Sequence, residues 1–476
     1  MSNLTTSSAG KRILSLLDEN SFVEIGASVQ ARSTDFNQKP KDAPGDGVIT
    51  GYGTIDGGLV YVYSQNADAL GGSIGEMHAK KIVNLYDLAK KTGYPVIGLL
   101  DSTGMRLQEG TDALFAFGSI YKAMSEASGI IPQITAVFGN AGGGMSVLAG
   151  LSDFTLMTSK SSKLFVNSPN AVCGNYEEKK DTSSAEYKAE AGAVDVVADE
   201  AEIFDKIRSL VSFLPDNCED EAYGAESTDD LNRASADMIG CAGDVALAIE
   251  RLADDNEFYE LKAAHAKNMT IGFIRLNGAT VGVVANRTEV TGADGKSEKL
   301  EAVLTVNGIR KAVKFVSFCD AFNIPVLTLT NTHGFCACEC AEKAIAAEAA
   351  KLAYAFATAE VPHVNVIVGE AFGSAAVVMN SKALGADYTY AWETAKVGAI
   401  DGKHAAEIMY DGQDQSVISE KAAEYDLLQT TSQSAAARGY VDTVIDPADT
   451  RKYVIGAFEM LYGKDGIAPN KKHGTI

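Results

Sequence analysis

Short β-rich runs alternate with longer stretches of helical periodicity along most of the chain. Ile55-Asp56-Gly57-Gly58 leads into LVYVYS, and Leu276-Asn277-Gly278 leads into ATVGVVAN, so that a turn signal precedes a strand in both. A predicted helix follows each, over 77–91 and over 308–322. Next come an apolar strand (PVIGLL or PVLTLT), a loop, a second helix over 112–128 or 341–358, and a strand that ends in a glycine-rich turn. Strands alternating with helices predict an α/β layout of ββα-type units. The longest apolar stretch, 364–379, is interrupted by Glu370 and rich in small residues. It is too short to span a bilayer and reads as a buried strand, turn and helix.

The two runs are copies of one unit. PVIGLLDSTG (95–104) is matched by PVLTLTNTHG (325–334), and IPQITAVFGNAGGG (131–144) by VPHVNVIVGEAFGS (361–374). Pro95 and Pro325, Gly104 and Gly334, Pro132 and Pro362, and Gly143 and Gly373 all share one offset of 230 residues. That period is too long for a solenoid and predicts two similar domains. The acidic, poorly periodic stretch 214–232 is the expected linker between a first lobe over 1–225 and a second over 240–476.

At 476 residues and 46% hydrophobic content, the chain has ample material for two cores. Its 41 basic and 63 acidic residues leave a net charge of −22, which argues against nucleic acid or an anionic membrane surface as partner. An anionic substrate would need a local basic pocket. The N-terminal MSNLTTSSAGKRILSLL lacks an apolar core long enough for a secretory signal. Seven cysteines are an odd number for a disulfide framework. A cytoplasmic protein with reduced thiols is expected.

Candidate chemistry lies in the glycine turns. FGNAGGGM (138–145) joins an apolar strand to a helical run. Glycines let backbone N–H groups approach a bound atom closely, and at a helix start those donors lack intrahelical acceptors. A pair of them makes an oxyanion hole, each donor worth about 3 kcal/mol of transition-state stabilisation. The second copy sets Gly373, Ser374 and Ala375 at the same point. A lone glycine cluster reads first as close packing of helix on strand; its repetition in register points to two oxyanions stabilised in one reaction.

Other motifs fail. G-x-G-x-x-G from Gly142 and Gly144 meets Val147, and a P-loop ending in Gly295-Lys296-Ser297 meets Val290. Gly71–Gly75 satisfies G-x-S-x-G, but Ser73 does not sit at the strand-to-helix corner that a nucleophile elbow requires. His333 with Cys336, Cys338 and Cys340 has the composition of a metal cluster. On a helix, cysteines two apart point to opposite faces and cannot converge on one ion; as a strand end they could. They read first as small residues in a tight loop, and no metal site is expected.

PGDGVITGYG (44–53), GGSIGEMHAKKI (71–82), ASGIIPQI (127–134), FCDAFNIPV (318–326) and MNSKALGADYTYAW (379–392) carry a resemblance. The chain resembles the carboxyltransferase β subunits of biotin-dependent acyl-CoA carboxylases and decarboxylases, such as propionyl-CoA carboxylase, in the crotonase-like superfamily. The likeness runs from LLDE (16–19) to ARGYVD (437–442) and implies a tandem duplication of crotonase-like β-β-α superhelical domains. It implies that the first lobe takes the coenzyme A thioester and the second takes biotin. Backbone amides of Gly143 and Gly144 would hold the thioester enolate oxygen, and those of Ser374 and Ala375 the biotin ureido oxygen. Gly104, Ala141, Gly142, Gly334, Phe335, Gly373 and Val377 would line the substrate sites. Biotin itself would remove the α-proton, so no protein base is required. The resemblance also implies a homo-oligomer, usually a hexamer, in which one subunit's first lobe faces another's second. The chain has no Met-Lys-Met biotinylation sequence and no ATP-grasp signature. Biotin carboxyl carrier protein, and biotin carboxylase or membrane decarboxylase subunits, would therefore be separate chains.

Several departures touch the pocket, among them a Gly-Gly-Ala…His…Ser-Gly segment of the family that is not recognisable over 176–194. The family's Pro-Gly-Phe is His333-Gly334-Phe335, the Pro-Gly that follows is Ala337-Cys338, an acidic residue is Val377, and an arginine is Glu370. Two further readings stay open. One is a biotin-independent crotonase-like hydrolase or hydratase, with Glu109 of RLQEG (106–110) as its acid or base; the alternative for Glu109 is an internal ion pair with Arg106. The other is a non-catalytic structural subunit.

Overall fold

Asp56-Gly57 and Asn277-Gly278 take positive φ at both central positions (49° and 85°; 52° and 79°), the type I′ geometry whose twist suits a two-residue hairpin. The computed structural model describes residues 4–36, 45–175, 179–220, 227–292 and 295–464. The chain divides into two units, residues 1–221 and 222–476.

The first unit is built on β1 (Val23–Ile25), β2 (Val48–Ile55), β3 (Gly58–Gln65), β4 (Val96–Ser102), β5 (Gln133–Gly142), β6 (Phe154–Thr158), β7 (Lys163–Phe165) and β8 (Val196–Ala198). Their order in the sheet is β1-β2-β3-β4-β5-β6-β8, with β7 also paired to β5. The hairpin is antiparallel; from β3 onward every pair is parallel. The four helices that frame the site are α1 (Ser8–Leu16), α2 (Glu76–Thr92), α3 (Thr111–Ala127) and α4 (Gly144–Leu151). Ile82, Leu85 and Ala89 of α2 and Phe117, Ile120 and Met124 of α3 share one buried cluster with Tyr63, Val96, Leu100 and Val137 of the strands. Burial of each such side chain contributes roughly 1.5–3 kcal/mol, which is why the helical stripes face the sheet.

The second unit repeats the plan with β9 (Phe258–Leu261), β10 (Met269–Leu276), β11 (Ala279–Asn286), β15 (Val326–Thr332), β17 (His363–Phe372), β18 (Tyr388–Trp392) and β20 (Thr443–Ile445), and with β19 (Lys396–Gly398) paired to β17. Two small ladders, β12 (Glu289–Thr291) with β13 (Ser297–Lys299) and β14 (Val303–Leu304) with β16 (Gly334–Phe335), flank it. The only tryptophan, Trp392, is buried in this core and donates its indole N–H to Thr450 Oγ1 at 2.9 Å.

The duplication holds at the level of hydrogen bonding. β4 and β5 pair from Val96 with Gln133 to Leu100 with Val137, then jump to Ser102 with Ala141. β15 and β17 pair from Val326 with His363 to Thr330 with Ile367, then jump to Thr332 with Ala371. The same bulge thus bends both strand pairs just before the glycine turn. Asp101 N–H donates to Gln65 Oε1, and Asn331 N–H, at the matched position, to Asn286 Oδ1.

Two expectations shift. The helix predicted over 341–358 is split into Glu339–Glu342 and Ile345–Thr358, because Ala344 leaves helical geometry at φ −140°. Residues 221–226 of the expected linker lie outside the described residues. Its last part is tied down: Asp229 pairs with Arg233 at 2.8 Å and with Arg451 at 3.5 Å, so the second unit takes in chain ahead of residue 240. Among the described residues, no helix is long and apolar enough to cross a membrane.

Burial leaves a pH signature. His78 in α2 is fully buried, its Nδ1 2.9 Å from the Asp46 carbonyl and its Nε2 3.3 Å from Gln65 Nε2. A neutral ring that donates from Nδ1 and accepts at Nε2 satisfies both contacts. Burial lowers its pKa from the ordinary 6.5 to about 3. The unfolded chain therefore binds a proton between those values that the folded chain refuses. This contribution is complete above pH ~6.5 and is lost as pH falls toward 3, amounting to about 2 kcal/mol by pH 5. Thermal melts should show stability falling between pH 7 and 5, with a shallower fall in His78→Gln; equal slopes would refute this assignment.

Candidate active site

β5 ends at Gly142 and α4 begins at Gly144. Gly143 between them has φ 59° and ψ −123°, a conformation that side chains exclude. Its N–H donates to the Phe165 carbonyl at 2.8 Å, continuing the β5–β7 ladder. The amide expected at Gly143 is thereby committed to the sheet. Gly144 opens the helix, so its N–H has no carbonyl one turn back within that helix. Tyr121 Oη donates to the Gly144 carbonyl at 2.7 Å, and burial raises the Tyr121 pKa, which keeps that donor protonated.

A cavity of about 850 Å³ opens at this corner. Gly104, Gly142, Gly143 and Gly144 line it, with Leu114, Phe117, Tyr121 and Phe165. Ala141 does not; it is buried in the sheet, paired with Ser102 and Leu164. Among the described residues the lining includes no charged side chain, so none of them supplies in this cavity the basic pocket expected for an anionic substrate. Phe117 and Tyr121 stand one helical turn apart, a spacing that reads in sequence as an ordinary core stripe.

The second corner matches. Gly373 has φ 61°, and a cavity of about 200 Å³ is lined by Gly334, Phe335, Gly373, Ser374 and Ala375, together with His333 and Asp401. By backbone register Gly143 corresponds to Gly373 and Gly144 to Ser374. The expected donor pairs, Gly143 with Gly144 and Ser374 with Ala375, are therefore out of step by one residue. Val377 lines an adjoining cavity of about 460 Å³, which meets that of the second corner at Gly373 and also takes in Ile367, Val397, Tyr425 and Arg438.

Charge separates the corners. Thr103 in the first is matched by His333 in the second. His333 Nδ1 lies 3.1 Å from Glu370 Oε2, and Nε2 lies 3.5 Å from Asp401 Oδ2. His404 Nδ1 reaches the same Asp401 oxygen at 2.6 Å. Burial opposes ionisation of Asp401, but hydrogen bonds from His404 hold its pKa below the usual carboxylate range.

The three cysteines after Phe335 do not follow a helix. Cys338 caps the short helix that starts at Glu339, which brings its Sγ to 3.7 Å from Cys336 and 2.7 Å from Cys340. Off a regular helix the sulfurs can approach one another, while His333 turns toward carboxylates.

Ser73 and Glu109 belong to a buried network. The Arg106 guanidinium is enclosed by Asp46, by Glu109 Oε1 at 3.0 Å, by the Ser73 carbonyl at 2.6 Å and by Ser73 Oγ at 3.2 Å. Glu109 Oε2 also accepts the Glu76 amide at the start of α2, at 2.6 Å. A Cβ on Gly75 would lie 2.3 Å from Glu109 and 2.5 Å from Arg106. The G-x-S-x-G pattern is thus the clearance for an ion pair, and Glu109 is held in that pair.

A model of the carboxyl transferase domain matches residues 6–476. The propionyl-CoA carboxylase beta chain of Roseobacter denitrificans is 40% identical, over 98% of this chain and 93% of its own length. Methylmalonyl-CoA decarboxylase subunit alpha of Veillonella parvula is 37% identical, over 98% and 92%. The crystal structure of the transcarboxylase 12S hexamer with hydrolysed methylmalonyl-coenzyme A bound superposes with a TM-score of 0.90 at 34% identity, covering 98% of this chain and 92% of that one.

Proposed function

The chain belongs to the carboxyl transferase domain family, and from that premise we propose that it moves a carboxyl group between biotin on a separate carrier protein and the α-carbon of a short-chain acyl-coenzyme A thioester. It is a carboxyltransferase of crotonase-like α/β fold. The observation that carries the detailed reading is the recurrence of one backbone corner, with the same bulge and the same positive-φ glycine, beside a cavity in each unit.

In this reading the uncharged first cavity holds the acyl end of the thioester. Gly143 supplies the fold-back, and Gly144 directs its amide at the oxygen that gains charge as the α-carbon becomes nucleophilic. Backbone donors fixed before reaction cost no reorganisation, which is the source of their effect. Ser374 and Ala375 play the corresponding part for the ureido oxygen of biotin. Their surroundings fit that group: a Cβ on Gly373 would sit 3.4 Å from the Ala399 carbonyl, and Ile367, Val397 and Val377 offer apolar room alongside. When bound, biotin supplies the activated carboxyl group. Glu109, locked to Arg106, is no free base, which disfavours the hydrolase reading.

The complex is proposed as a homo-oligomer, with transcarboxylase 12S as the hexameric precedent. It would work in the cytoplasm with a biotin carrier and with either biotin carboxylase or membrane decarboxylase subunits. Names among the relatives favour a three-carbon acyl group. Malonyl-, methylmalonyl- and glutaconyl-CoA incubated with free biotin test the proposal. Biotin-dependent loss of the carboxyl group, fastest from methylmalonyl-CoA, is expected. Thioester hydrolysis without biotin would instead establish a hydrolase, and binding without transfer a structural subunit.

A further inference from the structure

His333, Asp401 and His404 come together from three places, the end of β15, the loop after β19 and the helix Gly402–Met409. Their ligand atoms all lie within 4.8 Å of one another. His333 and Asp401 are each oriented by a contact that leaves one atom facing the others, and His404 Nδ1 meets Asp401 Oδ2 directly. His333 Nδ1 is engaged by Glu370, and its ring meets Phe372 edge-on at 5.4 Å, so Nε2 is the nitrogen presented. Asp401 Oδ1 accepts the His404 amide at 3.1 Å as a helix cap, which turns Oδ2 toward both imidazoles. A carboxylate on the far nitrogen of a histidine is the usual support of a metal-binding imidazole.

We propose that His333, Asp401 and His404 form a divalent-cation site, selective for zinc-like ions, at the mouth of the second cavity. Two imidazoles and one carboxylate make a zinc donor set with a fourth position open. Zinc-to-ligand bonds of about 2 Å demand donor separations of roughly 3.3 Å, within reach of small rotations of the exposed His404. His333 and Asp401 also line the cavity of Ser374 and Ala375, so the open position borders that cavity. An effect of the ion on transfer would rest on the function proposed above; binding does not.

Calorimetric titration of the full chain with Zn²⁺, with no thioester present, should give one ion per chain. Binding should be lost in His404→Ala, weakened about 10- to 100-fold in Glu370→Ala, and unchanged when Cys336, Cys338 and Cys340 are all serine. Co²⁺ should give d–d absorption without a sulfur-to-metal charge-transfer band. Three results would each overturn the site: no binding, binding indifferent to His404→Ala, or a charge-transfer band that vanishes with the cysteines.

Discussion

Gly143→Val is expected to cut the rate of carboxyl transfer by about 100-fold or more, the scale associated with one oxyanion-hole donor. At φ 59° and ψ −123° a β-branched residue is strained by about 1–3 kcal/mol. Its Cβ would meet nothing within 4 Å, because that side of the backbone is the cavity. The cost is therefore local and the unit should still fold, while relaxation of the strain pulls the Gly143 amide from Phe165 and re-aims the peptide of Gly144. Gly373→Val makes the same change at φ 61° in the second unit. It should stop transfer while leaving thioester affinity unaltered, whereas Gly143→Val should impair both. Circular dichroism must be native-like for either result to count. Wild-type transfer in either variant would eliminate the backbone-donor mechanism at that corner.

Arg106→Met should strongly destabilise the first unit. It leaves Asp46 and Glu109, both with fully buried side chains, facing each other without their cation. Burial already raises the Asp46 pKa against the pull of Arg106. Removing one member of a buried ionic network costs about 3–5 kcal/mol, or a fall on the order of 10 °C in Tm for a unit of this size. Combining Arg106→Met with Asp46→Asn and Glu109→Gln should recover much of the loss, since no unpaired charge then remains. The damage should also reach activity. Ile74 donates to the Gly104 carbonyl at 2.8 Å and accepts from the Arg106 amide at 3.0 Å, so the network holds the loop that lines the first cavity. A calorimetric scan in which Arg106→Met melts with wild type would show that the network does not support this unit.

The strands, the hairpins and both glycine corners are legible in the sequence because each has a local signature: alternation, a turn dipeptide, or glycine at a strand end. Their repetition at a constant offset marks the corners without reference to the fold. What escapes depends on partners with no such mark. Phe165, which takes the Gly143 amide, lies on a three-residue strand too short to show a period. Asp46 and Ser73 reach Arg106 only through tertiary folding, although the Arg106–Glu109 pair can be suspected from its spacing. His404 is a solitary histidine on the exposed face of its helix, and nothing near it announces His333. The cysteines approach one another only through a cap that carries no periodic signature, and Val377 lines a cavity that adjoins the corner through Gly373.

From Val96 to Gly143, and from Val326 to Gly373, the two halves keep the same residue count, although the hairpins before and the strands after are spaced differently. That interval behaves as a tape measure anchored at the bulge. One residue gained or lost within its strands, between the bulge and the glycine, would reverse the strand's faces or carry the glycine off its mark. Grafted loops or tags are therefore best placed outside those strands, where the backbone pairing does not count residues.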